Sequence, residues 1–337
     1  MLRGRRGSKL VAEPTERMRK RERLAASLVT IVLVAAGCDR GGVPETTTAG
    51  LPTQGGGVAL FEVATSHPDY WRLFTTDRVD GTTWMPAASD AVALSAPAIL
   101  PGSPTSDPAA ASVSHTFRIL SDFDLHAALP IPPTASALEG PVGNISWDQP
   151  TTRVIFDGGA SEGMKYTVRS VSIVPTPEEL DRTSAESSNG RWTELPGELD
   201  PRFRSEAERW TAGAASDYRK VLAIQERFQF GDFAYSTDVP PPYGPEDLLE
   251  FLTRSKVGFC THYSLAMAML VRSLGIPARI AAGFRVGTLQ DDESYLVLQS
   301  DVHIWVEVRF AGYGWLPFEP EHGATHPYAR EGTYLNP

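Results

Sequence analysis

One cysteine, one histidine and one carboxylate, each at the end of a regular element, are the residues of this 337-residue chain best placed to do chemistry. Cys260 stands in Gly258-Phe259-Cys260-Thr261-His262-Tyr263-Ser264, just before the apolar run Leu265 to Val271, so it opens a helix. Unpaired backbone N–H groups and the helix dipole at that end favour thiolate over thiol, and Gly258 permits another backbone to approach the sulfur closely. A free cysteine is by itself only a small buried hydrophobe; to act as a nucleophile it needs a base, and the base needs an acceptor for its second nitrogen. His303 begins a strand within Asp301-Val302-His303-Ile304-Trp305, and Glu319 ends the next within Trp315-Leu316-Pro317-Phe318-Glu319-Pro320. Paired antiparallel across the Ala311 to Gly314 turn, imidazole and carboxylate fall side by side at one end of a sheet. Asp301 is the rival acceptor, but it lies two residues from His303 on the same strand.

The surrounding pattern supplies elements to hold these groups. Tyr218, Val221, Leu222, Gln225 and Phe228 recur at helical spacing, so Ala214 to Phe230 is expected as an amphipathic helix whose apolar stripe is broken only by Gln225. Pro245-Glu246-Asp247 opens a short helix through Leu252. The Cys260 helix is apolar on nearly all sides and must be buried, ending at Gly275 and Pro277. Strand-like alternation follows in Arg279 to Val286, Tyr295 to Gln299, His303 to Phe310 and Trp315 to Phe318. A buried helix followed by an antiparallel sheet is an α+β arrangement. Upstream, Val113 to Ile119, Thr151 to Phe156 and Met164 to Val168 also read as strands, with Met85 to Ser112 as a long Pro-, Ala- and Ser-rich loop. His115 alternates with apolar residues and reads as a packed core residue.

Four blocks in order resemble the transglutaminase-like superfamily of cysteine acyl-transfer enzymes. They are Gly258 to Ser264; Leu274-Gly275-Ile276-Pro277-Ala278-Arg279 with Gly283-Phe284; His303-Ile304-Trp305-Val306-Glu307-Val308; and Gly314-Trp315 leading to Phe318-Glu319-Pro320. Further upstream, Tyr70-Trp71-Arg72-Leu73-Phe74 and Asp77 to Gly81 with Trp84 resemble the extracytoplasmic β-rich part of bacterial transglutaminase-like membrane proteins. The resemblance implies a transglutaminase-like, papain-like core in which the buried helix bearing the cysteine packs on an antiparallel sheet. In that core Cys260 is the nucleophile, His303 the base and Glu319 the third member, where the family usually has Asp. Gly258, His262 and Trp305 are expected around the cleft or oxyanion site, His262 and Trp305 as packing or wall residues and Arg279 as the partner of a buried carboxylate. The implied reaction takes a protein or peptide glutamine carboxamide to a thioester and passes the acyl group to an amine. With water as acceptor the same triad makes a peptidase or amidase, and a non-catalytic scaffold that kept the fold is the reading from another class. No cofactor is called for, and the polar turn Asp291 to Glu293 lacks a calcium-loop pattern.

Composition limits the alternatives. Only Cys38 and Cys260 occur, which excludes a disulfide framework or a zinc site of several thiolates. Nine of the 31 basic and three of the 41 acidic residues lie in 1–38, leaving a net charge of −16 on the remainder, which disfavours nucleic acid as a partner. Residues 19–23 are cationic, Leu24 to Ala36 is apolar but too short to span a bilayer, and Ala35-Ala36-Gly37-Cys38 resembles a bacterial lipobox. The expected organisation is a signal peptide over 1–38 lipidated at Cys38, a flexible linker over 39–57, a β-rich domain over 58–190 and a catalytic domain over 191–337. Such a protein is exported and held to the membrane by its lipid or signal anchor, facing periplasm or exterior. Expression in globomycin-treated cells is expected to accumulate the uncleaved precursor; normal processing there contradicts lipidation at Cys38.

Overall fold

The computed structural model describes residues from Gly57 to Leu335, except 77, 81–82, 86–90, 96, 102–111, 124–126, 141–142, 187–189, 198, 325, 328 and 330–331. The leader, Cys38 and all of the linker but Gly57 lie outside the described residues. A seven-stranded sheet, two four-stranded sheets and a set of helices share one apolar core, in a mixed α+β fold. Among the described residues no helix is long and apolar enough to cross a membrane.

The first sheet has seven strands, with Ala59–Ala64, Ser112–Ile119 and Lys165–Val171 near its centre. Ser112–Ile119 alternates strictly between exposed and buried residues, as its sequence requires of a half-buried strand. His115 is buried on its inner face, where burial pulls its pKa down to about 4 and Ser170 and Thr65 contact its two nitrogens. The passage from Met85 to Ser112, expected as loop, contributes the short strands Val92–Leu94 and Ala98–Ile99.

The second sheet is antiparallel, in the order Gly314–Phe318, Val302–Phe310, Ala278–Phe284, Trp71–Thr76. The helix Cys260–Ser273 lies against its two central strands and is buried at every position, which explains its lack of a polar face. Ser264, one turn beyond Cys260, donates from Oγ to the Ile304 carbonyl at 2.8 Å and so fixes the helix against the strand that carries His303. Asp217–Phe230 and Arg202–Trp210 pack on the other side of the Cys260 helix.

The expected boundary between residues 190 and 191 divides the sequence but not the sheets. Ser294–Leu298, expected among the catalytic strands, pairs instead with Ala59–Ala64 in the seven-stranded sheet, and Thr288–Leu289 follows it. In return, Trp71–Thr76 forms an edge of the four-stranded sheet beside Ala278–Phe284. Glu307 cements that edge: buried, it accepts from Arg279 Nε at 2.7 Å and Arg72 Nη1 at 3.1 Å, and the two guanidinium groups outweigh burial to hold it as a carboxylate.

The pairing of Trp71–Thr76 with Ala278–Phe284 shifts register between Ala282 and Gly283, and there the two backbones almost touch. A Cβ on Gly283 would lie 2.1 Å from the Trp71 carbonyl oxygen, a clash with backbone that no rotamer relieves. Gly283→Ala is therefore expected to cost about 3 kcal/mol in urea denaturation; a stability within about 0.5 kcal/mol of the parent would contradict the close approach.

Candidate active site

Cys260 occupies the first turn of its helix, after the extended residue Phe259. His303 is the second residue of Val302–Phe310, and Glu319 follows Gly314–Phe318. The structure brings the three together. His303 Nε2 lies 2.5 Å from Glu319 Oε2, and Cys260 hydrogen-bonds the imidazole. The last strand pair is Val306 with Phe318, so continuing the register sets Glu319 opposite Trp305 rather than His303. The glutamate reaches its histidine diagonally, and its extra methylene relative to aspartate lengthens that reach.

Burial works against a charged imidazole, but the Glu319 carboxylate and the hydrogen bonds to Cys260 and Glu319 outweigh it and push the His303 pKa up to about 9. Glu319 is itself buried, which favours its neutral form, yet the charge and hydrogen bond of His303 keep its pKa below the usual glutamate value. The favoured state at neutral pH has an imidazolium between a carboxylate and the sulfur, the arrangement of a thiol nucleophile with its general acid.

Residues that sequence reasoning passed over complete the site. The Tyr70 hydroxyl donates to Glu319 Oε2 at 2.9 Å, and its ring meets that of His303 edge-on at 5.3 Å. The Glu321 backbone N–H donates to Glu319 Oε1 at 2.9 Å. Gln225, the polar break in its helix's apolar stripe, accepts the Glu319 backbone N–H at 2.9 Å, and Gln229 one turn later donates to the Glu319 carbonyl at 2.6 Å. That break was the one signal in the sequence that pointed to a partner. Arg285 and Glu321 form an ion pair at 2.5 Å over the other nitrogen, Arg285 Nη2 being 3.2 Å and Glu321 Oε2 3.8 Å from Nδ1.

The remaining sequence candidates are placed as follows. Gly258 leaves room for a ring rather than for a backbone: a Cβ there would lie 2.7 Å from His262. His262 packs edge-on to Phe259 at 4.8 Å, and burial pulls its pKa down to about 4, so it is a neutral packing residue. Trp305 is fully buried against Tyr70 and His303. Arg279 stacks on Trp315 while pairing Glu307. Asp301 accepts from the Leu298 backbone N–H, and Asp292 from the backbone N–H and hydroxyl of Ser294. Cys260, His303 and Glu321 have ligand atoms within 4.8 Å of one another and form the one cluster among the described residues of a kind that could hold a metal; Glu319 and Arg285 already engage two of its members.

Residues 204–320 match the family model of the transglutaminase-like superfamily, and residues 54–177 match that of the TgpA N-terminal domain. The protein-glutamine gamma-glutamyltransferase of Pseudomonas aeruginosa is 32% identical over 200 residues, covering 56% of this chain and 30% of that protein. The uncharacterized protein YebA of Bacillus subtilis is 34% identical over 175 residues, covering 48% and 24% respectively. The chain thus spans less than a third of the length of either relative. A solved structure, the periplasmic domain of TgpA from Pseudomonas aeruginosa bound to ethylmercury, aligns at a TM-score of 0.57 and 25% identity over 78% of this chain and 90% of that domain.

With an alkylating probe at neutral pH, Cys260 is expected to react at least about tenfold faster than a free cysteine, and His303→Ala to abolish the difference. An unaccelerated thiol that ignores the His303 substitution would contradict this reading of the site.

Proposed function

This chain is a TgpA N-terminal domain joined to a transglutaminase-like core, and from that premise we propose that it is a thiol acyltransferase acting on protein or peptide glutamine. The observation that carries the reading is the buried row of sulfur, imidazole and carboxylate, with His303 charged at neutral pH.

The Cys260 thiolate attacks the carboxamide carbon and a C–S bond forms. The backbone N–H of Cys260, at the open end of its helix, is the oxyanion donor this geometry offers. His303 gives its proton to the departing nitrogen as the C–N bond breaks; ammonia leaves, and the acyl group remains as a thioester. A primary amine then attacks the carbonyl carbon, His303 takes a proton from it, and the C–S bond breaks to give an isopeptide and the original ion pair. Glu319 keeps one imidazole nitrogen occupied throughout, so the other always faces the sulfur. The enzyme is assigned to the extracytoplasmic side, as the relative's solved domain is periplasmic and residues 19–38 have the layout of a leader. Lipidation at Cys38 would anchor it there.

Incubation with a glutamine peptide and a labelled primary amine is expected to give label incorporation that Cys260→Ala abolishes. Donor hydrolysis without labelling would make it an amidase or peptidase, and neither product would leave a scaffold. Below about pH 9 His303 holds the proton that ammonia needs, and above it that proton is lost. Ammonia release is therefore expected to fall as pH rises through about 9; a rate still rising there would contradict His303 as the acid.

A further inference from the structure

A cleft of about 580 Å³ opens beside the triad and is lined by Tyr70, Tyr235, Arg285, Tyr295, Glu321 and His322, among others. Glu321 stands where this cleft meets the reacting atoms. One of its oxygens is held by Arg285 at 2.5 Å. The other, Oε2, is buried and has no hydrogen-bond partner among the described residues, although it lies 3.8 Å from His303 Nδ1. The Glu321 carboxylate also falls within 4.8 Å of the Cys260 sulfur. A carboxylate oxygen out of water without a donor is costly, and the triad chemistry leaves it unused.

We propose that Glu321 is the acceptor-side catalytic residue of this site: its free oxygen binds the ammonium group of an incoming primary amine in the tyrosine-lined cleft and takes the first of its protons. The inference rests on the acyl-transfer reading above. Once ammonia has left, Cys260 is a neutral thioester and His303 is neutral, so Glu319, Glu321 and Arg285 give the site a net charge of −1, which attracts a cation. Tyr235 and Tyr295 line the cleft with aromatic surface suited to an alkylammonium chain. The protons balance. The ammonium loses one proton to Glu321, and its nitrogen forms the bond to the carbonyl carbon. The second proton goes to His303 as the C–S bond breaks, and Glu321 releases its own to water. Burial raises the proton affinity of Glu321 above that of an ordinary glutamate, which suits it to the first transfer.

The test compares two acceptors at neutral pH: cadaverine, a cation, and hydroxylamine, uncharged and needing neither cation binding nor the first deprotonation. Glu321→Gln is expected to lower the ratio of cadaverine to hydroxylamine transfer at least tenfold, and Glu321→Asp, which keeps the carboxylate, to recover part of it. An unchanged ratio, or equal losses with both acceptors, overturns the proposal. In the wild-type enzyme dimethylpentylamine, a cation unable to accept an acyl group, is expected to compete with cadaverine but not with hydroxylamine; competition with neither overturns it without any variant. A wild-type enzyme that consumes the glutamine donor yet transfers to neither amine overturns the acyl-transfer reading and this proposal together, and is distinguished by appearing before any substitution is made.

Discussion

A carboxylate removed from water must be repaid by hydrogen bonds and an opposite charge, and the site is arranged around meeting that requirement at Glu319. Its side chain accepts from His303 and Tyr70 at one oxygen and from the Glu321 backbone at the other, while Gln225 and Gln229 hold its own backbone. These partners come from a strand, the N-terminal segment, the chain just beyond Glu319 and a helix. The carboxylate is satisfied when the first three are docked, the helix fixing the backbone that carries it, and so placed it favours the protonated form of His303.

That dependence gives the β-rich part a share in the candidate site. Tyr70 directly precedes the strand at the edge of the four-stranded sheet that carries His303, and that strand docks because Gly283 has no side chain and because Arg72 reaches Glu307. The seven-stranded sheet in turn takes Ser294–Leu298 from the C-terminal half. A fragment beginning at residue 191 would lose Tyr70 and leave Ala278–Phe284 as an open sheet edge, so the two halves are built as one structural unit.

Much of this was legible in the sequence, for physical reasons. An unbroken apolar helix has to be buried, so the place and depth of Cys260 followed from its neighbours, and period-two alternation marked the strands that carry His303 and precede Glu319. Alternation identifies a strand but not its neighbour, which is why Ser294–Leu298 was expected in the wrong sheet and the exchange with Trp71–Thr76 was invisible. Gln225 showed only as a flaw in a stripe; its role depends on a backbone group 94 residues away. Arg285 and Glu321 follow no periodic pattern, and their meeting at the imidazole is set by the tertiary fold alone. Gly258 was understood as space around the sulfur, whereas the space it leaves is filled by the ring of His262.

The central claim is that Glu319 holds His303 as an imidazolium against the sulfur of Cys260. The most direct measurement is an NMR titration of the His303 ring in the folded, unmodified protein. The result expected is a ring protonated at neutral pH that loses its proton near 9; a ring already neutral at pH 7 would contradict the claim.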